Sequence, residues 1–437
     1  MQRRTFLKSA AVTAAAAPFL GAENYSKSAL SQIKHVVVVM MENRSFDHML
    51  GWLPNADGKQ AGLSYIDKGG VSHTTYPLAP DWTGCGFEDP SHSYDGGRVH
   101  YNNGAMDGFL QTADDTYPIG YYVEKDLPFM AAFARTFTSC DRYFCSILSS
   151  TFPNRIFQHA GQTDRLDNSF FFSQLPTIWD RLIEKNISCK YYYGNLPFLA
   201  LFGLKFLSIS GSYNDFLTDC QNGTLPAVSF VDPKLTLLLN FANDDHPHSD
   251  MRNGDAFLAE TYQALASSPA WDSTVLIVNR DEWGGFFDHV PLPRVIAPNN
   301  VDPDLVDGKA LLGVRVPAVV ASPWNVGNPQ DPTVSSVLFD HTSALRLIEK
   351  VWDLEPLGAR DASNEVGSFL NLLNLGSAPV PWPTLPMPRS HAIPDKICFS
   401  SIDPNIIAAH TPAQARTIAT FQDFLESGVC DGWPIYE

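Results

Sequence analysis

The sequence predicts an α/β protein, with a mostly parallel central sheet and helices on both of its faces. Two stretches carry that prediction. His35-Val36-Val37-Val38-Val39-Met40-Met41 and Thr274-Val275-Leu276-Ile277-Val278-Asn279 have almost no polar face, as strands buried between helical layers do not. Both stop abruptly, the first at Glu42-Asn43 and the second at Arg280-Asp281-Glu282. Stretches with helical spacing alternate with the strand-like ones, the order from which parallel sheets are built. With 437 residues, 44% of them hydrophobic and 18% charged, the chain can bury a large core and lacks a disordered composition.

Residues 1–22 read as an address rather than as structure. Gln2-Arg3-Arg4-Thr5-Phe6-Leu7-Lys8 places a twin arginine ahead of a short, weakly apolar run from Ala10 to Leu20, the form of a twin-arginine export signal and too short to span a bilayer. Cleavage after Ala17 and cleavage after Ala22 both satisfy the small-residue rule. The expected location is periplasmic or secreted from a bacterium, through the twin-arginine export machinery. Residues 31–437 show no repeat and no linker-like break, and read as one catalytic domain.

After the first strand, residues 52–105 are rich in Gly, Asp, His, Ser and Tyr and predict long loops with an irregular strand or two. Asp89-Pro90-Ser91-His92 and Asn103-Gly104-Ala105-Met106-Asp107-Gly108-Phe109 are candidate site pieces there, with turn chemistry as the alternative. A helix is expected over 126–139, and another begins near Pro153, which puts the hydroxyls of Ser150 and Thr151 at its head. Free N–H groups at such a helix start favour an anion, unless Ser150 or Thr151 merely caps it. Strands are expected at 190–194, 227–233 and 314–323, and helices over about 254–267 and from Asp340-His341-Thr342-Ser343 to Trp352. Pro379 to Pro394 should wrap the surface in extended form, and Thr411-Pro412-Ala413-Gln414 should open a last helix that stops at Gly428.

The formal net charge is −17, and removing residues 1–22 takes away three cations and no acid, leaving −20. Nucleic acid and anionic lipid are excluded as electrostatic partners, and no integral membrane segment is expected. Seven cysteines without a C-x-x-C pair predict, in an oxidising compartment, two or three disulfides and one thiol left over.

If the two apolar strands are neighbours, Glu42, Asn43, Asp281 and Glu282 converge at one sheet edge, where open α/β sheets bind ligands. These oxygen donors suit one or more divalent metal ions: Mg²⁺, Ca²⁺ or Mn²⁺, with Zn²⁺ kept open by nearby histidines. The alternative is an ordinary polar strand end. Thr151 and the histidines at 92, 246 and 289 would complete a set able to hydrolyse a phosphate ester: a hydroxyl nucleophile and donors to anions.

Five ordered motifs strengthen that reading. Met41-Glu42-Asn43-Arg44-Ser45-Phe46-Asp47-His48, Met106-Asp107-Gly108-Phe109, Thr151-Phe152-Pro153-Asn154-Arg155, Asp245-His246-Pro247 and Asp281-Glu282-Trp283-Gly284-Gly285-Phe286-Phe287-Asp288-His289 resemble the bacterial phosphoesterase family, over about residues 33–352. That family holds non-zinc-type phospholipases C and periplasmic acid phosphatases within the alkaline phosphatase superfamily. The resemblance implies an alkaline-phosphatase-like three-layer sandwich. It also implies metal ligation by Glu42, Asn43, Thr151, Asp281 and Glu282, catalysis by Thr151 with His92 and His246, and a phosphothreonine intermediate. His289 is implied as a phosphate-binding or supporting residue. Arg280 and Trp283 depart from the family's habit, and both bear on pocket width. The expected substrate is a phospholipid or a small phosphoester. A phospholipase C-like hydrolase leads, an acid phosphatase acting on phosphomonoesters by the same mechanism is the alternative, and the short stretch after residue 375 favours the second. A rival of another class is a non-catalytic exported metal- or phosphate-binding protein. A redox enzyme is disfavoured, because no GxGxxG follows a strand and no cysteine cluster is present.

Overall fold

A computed structural model describes residues 25–235, 242–391 and 426–436. The export signal and the capping box at 411–414 lie outside the described residues. The centre is an eight-stranded sheet built from β1 (His35–Met41), β2 (Thr138–Cys140), β3 (Cys189–Tyr193), β4 (Ser210–Ser212), β5 (Val228–Asp232), β6 (Thr274–Arg280), β7 (Val319–Ala321) and β8 (Val334–Ser335). Across the sheet the order is β8-β2-β7-β6-β1-β5-β3-β4. Only β7 runs against its neighbours; the pairs β6·β1, β1·β5, β5·β3 and β3·β4 are all parallel.

Helices cover both faces, which gives the three layers expected. They are α1 (Phe46–Leu50), α2 (Tyr94–Tyr101), α3 (Pro128–Thr136), α4 (Thr151–Ala160), α5 (Ile178–Glu184), α6 (Tyr213–Asn222), α7 (Met251–Ala266) and α8 (Thr342–Trp352). The pleat of β1 divides the core. Val36 and Val38 pack in the layer of α4, α5 and α8, while Val37, Val39 and Met41 pack in the layer of α3, α6 and α7. An all-apolar strand is what such a two-sided burial demands.

Three expectations need correction. The strand expected at 314–323 shrinks to β7, bracketed by Pro317 and Pro323, which cannot donate to a ladder. Inside the long loop lies a helix, α2, started by Ser93 Oγ accepting from Gly96 N–H at 3.1 Å. Its Gly96-Gly97 pair hides it from a propensity reading, yet a Cβ on Gly97 would come within 2.7 Å of Leu148 and 3.0 Å of Trp283. Five cysteines, at 140, 145, 189, 220 and 430, are free, which leaves Cys85 as the described disulfide cysteine instead of two or three bridges. Within the proline-rich stretch the described residues 379–391 form no helix or strand and lie mostly at the surface, accepting hydrogen bonds from Tyr262 Oη at Pro383 (2.7 Å) and from Trp271 at Val380 (3.2 Å). No helix among the described residues is long and apolar enough to cross a membrane.

One buried acid in α8 makes stability depend on pH. Burial, and then the charge of Asp361 to which it is hydrogen-bonded, push the Glu349 carboxyl up to about 9. The folded state therefore keeps a proton that the unfolded chain releases above its ordinary value near 4.5, so stability falls as pH rises between those two limits. Glu349→Gln keeps a neutral donor and removes that slope. The expected result in urea unfolding is a variant equal to the parent near pH 4.5 and more stable at pH 8 by on the order of 2–4 kcal/mol. A difference that does not grow with pH would refute the assignment.

Candidate active site

The carboxyl ends of β6, β1 and β5 lie side by side, and their register pairs Met41 with Arg280. The residues that follow, Glu42 and Asp281, are therefore neighbours, as the two strand endings imply. Asp281 N–H donates to Met41 O at 3.1 Å, and Asn43 N–H donates to Asp281 Oδ1 at 3.0 Å. Asn43 adopts a left-handed conformation at φ 53°, which turns the chain out of β1. Glu42, Asn43, Asp281 and Glu282 are all fully buried.

Thr151 is the first residue of α4 and meets this cluster. Neither of the two hydroxyls at the helix head acts as its cap: Ser150 makes no side-chain capping bond, and Thr151 Oγ1 donates instead to Glu42 Oε2 at 3.5 Å. The helix start offers an anion less than expected, because Asn168 Oδ1 takes the N–H of Phe152 at 2.9 Å and Pro153 has none.

Arg155 stands one turn along the same helix face and was given no role by the sequence reading. Its Nε and Nη2 both contact Glu42 Oε1, at 2.8 and 2.6 Å, and its Nη1 reaches Asp232 Oδ1 at 3.0 Å. Tyr191 Oη donates to the other oxygen of Asp232 at 2.6 Å. The guanidinium also lies 3.7 Å from Asp281 Oδ2. Two nitrogens on one carboxylate oxygen leave Glu42 Oε2 to face Thr151. The i, i+4 spacing on a helix was the available signal.

His92 and His246 approach from the other side, with ring centroids 5.9 Å apart. Each ring has its Nδ1 against a backbone carbonyl: His92 on Pro90 O at 2.8 Å, and His246 on Pro247 O. That contact assigns the proton to Nδ1 and leaves Nε2 as the working nitrogen. His92 Nε2 lies 3.5 Å from Asn43 Nδ2 and 4.0 Å from Glu282 Oε1. Asp89, named in sequence only as part of a loop motif, brings a carboxylate oxygen within 4.8 Å of both rings, a trio able to hold a cation.

Burial, the charge of Asp281 and that of Asp244 hold the Glu42 carboxyl well above the usual range, against the pull of Arg155. Burial and the charge of Asp281 do the same to Glu282, and burial raises Asp281. The one guanidinium of Arg155 does not balance three packed acids. Asn43 Oδ1, Asp281 Oδ2 and Glu282 Oε1 are buried and accept no hydrogen bond. Orphaned oxygens beside crowded carboxylates fit a hard divalent cation.

Other expected pieces lie elsewhere. His289 spends Nδ1 on Asp47 (2.5 Å) and Nε2 on Asp57 (3.0 Å), which leaves it no nitrogen for phosphate. Arg280 points to the opposite layer, donating to Asp245 Oδ2 at 2.7 Å, and buried Trp283 donates to His100 Nδ1 at 3.1 Å, so neither acts as a pocket rim. Asp107 is exposed and accepts from Asn102 Nδ2 at 2.8 Å, the turn chemistry left open for that loop. The glycines after Glu282 admit neighbouring loops rather than a ligand: a Cβ on Gly284, at φ 61°, would stand 2.1 Å from Asn43 O.

The strand ends of this mostly parallel sheet gather acids, an amide and a hydroxyl, at the edge where open α/β sheets bind their ligands. The chain is a member of the Phosphoesterase family, whose model matches residues 33–355. Non-specific phospholipase C1 of Arabidopsis thaliana is 33% identical over 79% of this chain and 72% of its own length. Phospholipase C B of Mycobacterium tuberculosis is 32% identical over 84% of this chain and 82% of its own. Among solved structures, a protein in the alkaline phosphatase superfamily from Vibrio parahaemolyticus is similar with a TM-score of 0.38 at 12% identity, over 78% of this chain and 70% of its own.

Proposed function

We propose that this chain is an exported, metal-dependent, phospholipase C-like enzyme that uses Thr151 as its nucleophile. The observation that carries the reading is the placement of Thr151, whose hydroxyl faces Glu42 Oε2 instead of capping its helix, while Asn43, Asp281 and Glu282, next to Glu42, each keep a buried oxygen that accepts no hydrogen bond. A divalent cation held by Glu42, Asn43, Thr151, Asp281 and Glu282 would supply the positive charge that lowers the hydroxyl's pKa and balances the phosphate oxygens.

The protein's own groups divide the remaining work. Thr151 Oγ1 bonds to phosphorus as the bond to the leaving alcohol breaks, giving phosphorylated Thr151. Nε2 of His246 or His92 takes the Thr151 proton as that bond forms and passes it to the leaving oxygen, then takes one from the water that hydrolyses the phosphothreonine and returns it to Thr151 Oγ1. Arg155 keeps Glu42 aimed throughout. The names of the matched relatives favour a phospholipid, with diacylglycerol as the leaving alcohol, over a phosphomonoester.

The test is release of p-nitrophenol from its phosphocholine and phosphate esters by the exported protein, before and after chelation. The expected result is faster turnover of the phosphocholine ester, loss on chelation and recovery with one of Mg²⁺, Ca²⁺, Mn²⁺ or Zn²⁺. No release from either ester would leave a non-catalytic binding protein; release indifferent to chelation would remove the metal. Export is tested separately by replacing Arg3 and Arg4 with Lys, which should keep a fused reporter in the cytoplasm.

A further inference from the structure

We propose that the loop Ser169-Phe170-Phe171-Phe172-Ser173 seats the enzyme on a zwitterionic phospholipid bilayer, with the Thr151 site beside the lipid. The inference rests on the phospholipase C-like reading and adds to it the surface from which substrate is drawn.

Phe171 and Phe172 are 49% and 50% exposed, and Leu204, at 56%, stands on a neighbouring turn joined to the loop by Ser173 N–H donating to Leu201 O at 2.7 Å. Apolar groups left in water together call for a partner. The base of the loop is fixed to the residues on either side of the nucleophile. Ser149 Oγ donates to Leu166 O at 2.5 Å, Asn168 Oδ1 accepts from Phe152 N–H, and Phe170 packs edge-on against Phe152 with ring centroids 5.8 Å apart. The Arg165 guanidinium lies over the Phe171 ring at 3.9 Å and stiffens the tip.

Charge and area select the occupant. Nearby cations are already paired, Arg165 with Asp164 at 2.8 Å and Lys205 with Asp180 at 2.6 Å, and the chain's net charge of −17 opposes an anionic surface. A neutral headgroup layer meets no such penalty. Half-exposed phenylalanines, from side chains that bury roughly 150–250 Å² apiece when covered, fall far short of the roughly 1,200–2,000 Å² of a stable protein–protein interface. Insertion into a bilayer needs no matching surface, and aromatic side chains favour the headgroup level.

The experiment compares the parent with Phe171→Ala/Phe172→Ala on two substrates, phosphatidylcholine vesicles and soluble p-nitrophenyl phosphocholine, with sedimentation of the same vesicles as a binding readout. The expected result is at least a tenfold loss of vesicle binding and vesicle hydrolysis, soluble turnover within twofold of the parent, and recovery in Phe171→Trp/Phe172→Trp. Equal vesicle binding by parent and alanine variant would overturn the loop's role, as would binding that requires phosphatidylglycerol. A parent that turns over the soluble ester but ignores phosphatidylcholine vesicles would overturn this inference and leave the phosphoesterase reading standing. Loss of soluble turnover in the alanine variant would make the loop part of the catalytic frame and likewise overturn the inference.

Discussion

Thr151→Ala is expected to lower kcat by about 10⁴-fold or more if Thr151 is the covalent nucleophile proposed, because its removal leaves only what the rest of the site does for direct attack by water. Folding should be untouched: the hydroxyl caps nothing, its one described hydrogen bond is the 3.5 Å contact with Glu42, and the residue is a helix start at which alanine is tolerated. Thermal unfolding should therefore move by no more than about 1 kcal/mol. Thr151→Ser keeps the oxygen and should recover most of the activity. Acid-quenched turnover followed by mass spectrometry should find phosphate on the peptide carrying Thr151 in the parent and none in the alanine variant. Phosphorylation elsewhere, or an active alanine variant, would move the nucleophile.

What could be read in the sequence follows from what physics makes local. An all-apolar strand that ends in acids declares its own burial and its own polarity switch, so β1, β6 and the convergence of Glu42 with Asp281 were legible. The head of α4 was legible for the same reason, through Pro153 in the first turn. Roles set by distant partners were not. Arg155 reads as one more charged helix residue until Asp232, at the end of a strand some eighty positions away, is found beside it. His92 in its loop motif and His289 after its strand end both read as site histidines, yet only the hydrogen-bond partners show that the first aims Nε2 at the site and the second is consumed by Asp47 and Asp57. The α2 helix was hidden because its Gly97 is demanded by Leu148 and Trp283, which no local pattern reveals.

Arg155 carries the second large prediction, since it joins the helix that Thr151 begins to acids at the ends of three strands. In Arg155→Met, Glu42, Asp232 and Asp281 lose their shared buried cation, and breaking such a pair costs about 3–5 kcal/mol. A fall in activity there would not separate positioning from damage. Arg155→Lys does: it keeps the charge, but one ammonium cannot place two donors on Glu42 Oε1 and a third on Asp232 as the guanidinium does. The expected result is that lysine restores most of the thermal stability, leaves KM within about threefold, and still shows kcat about 100-fold below the parent, the scale of loss for an ångström of misplacement. Calorimetric titration with the activating metal should show weaker binding in the lysine variant, because Glu42 Oε2 is no longer held toward Thr151. If lysine restores kcat in step with stability, Arg155 supplies charge alone, and the aim of Glu42 is set by the strand that carries it.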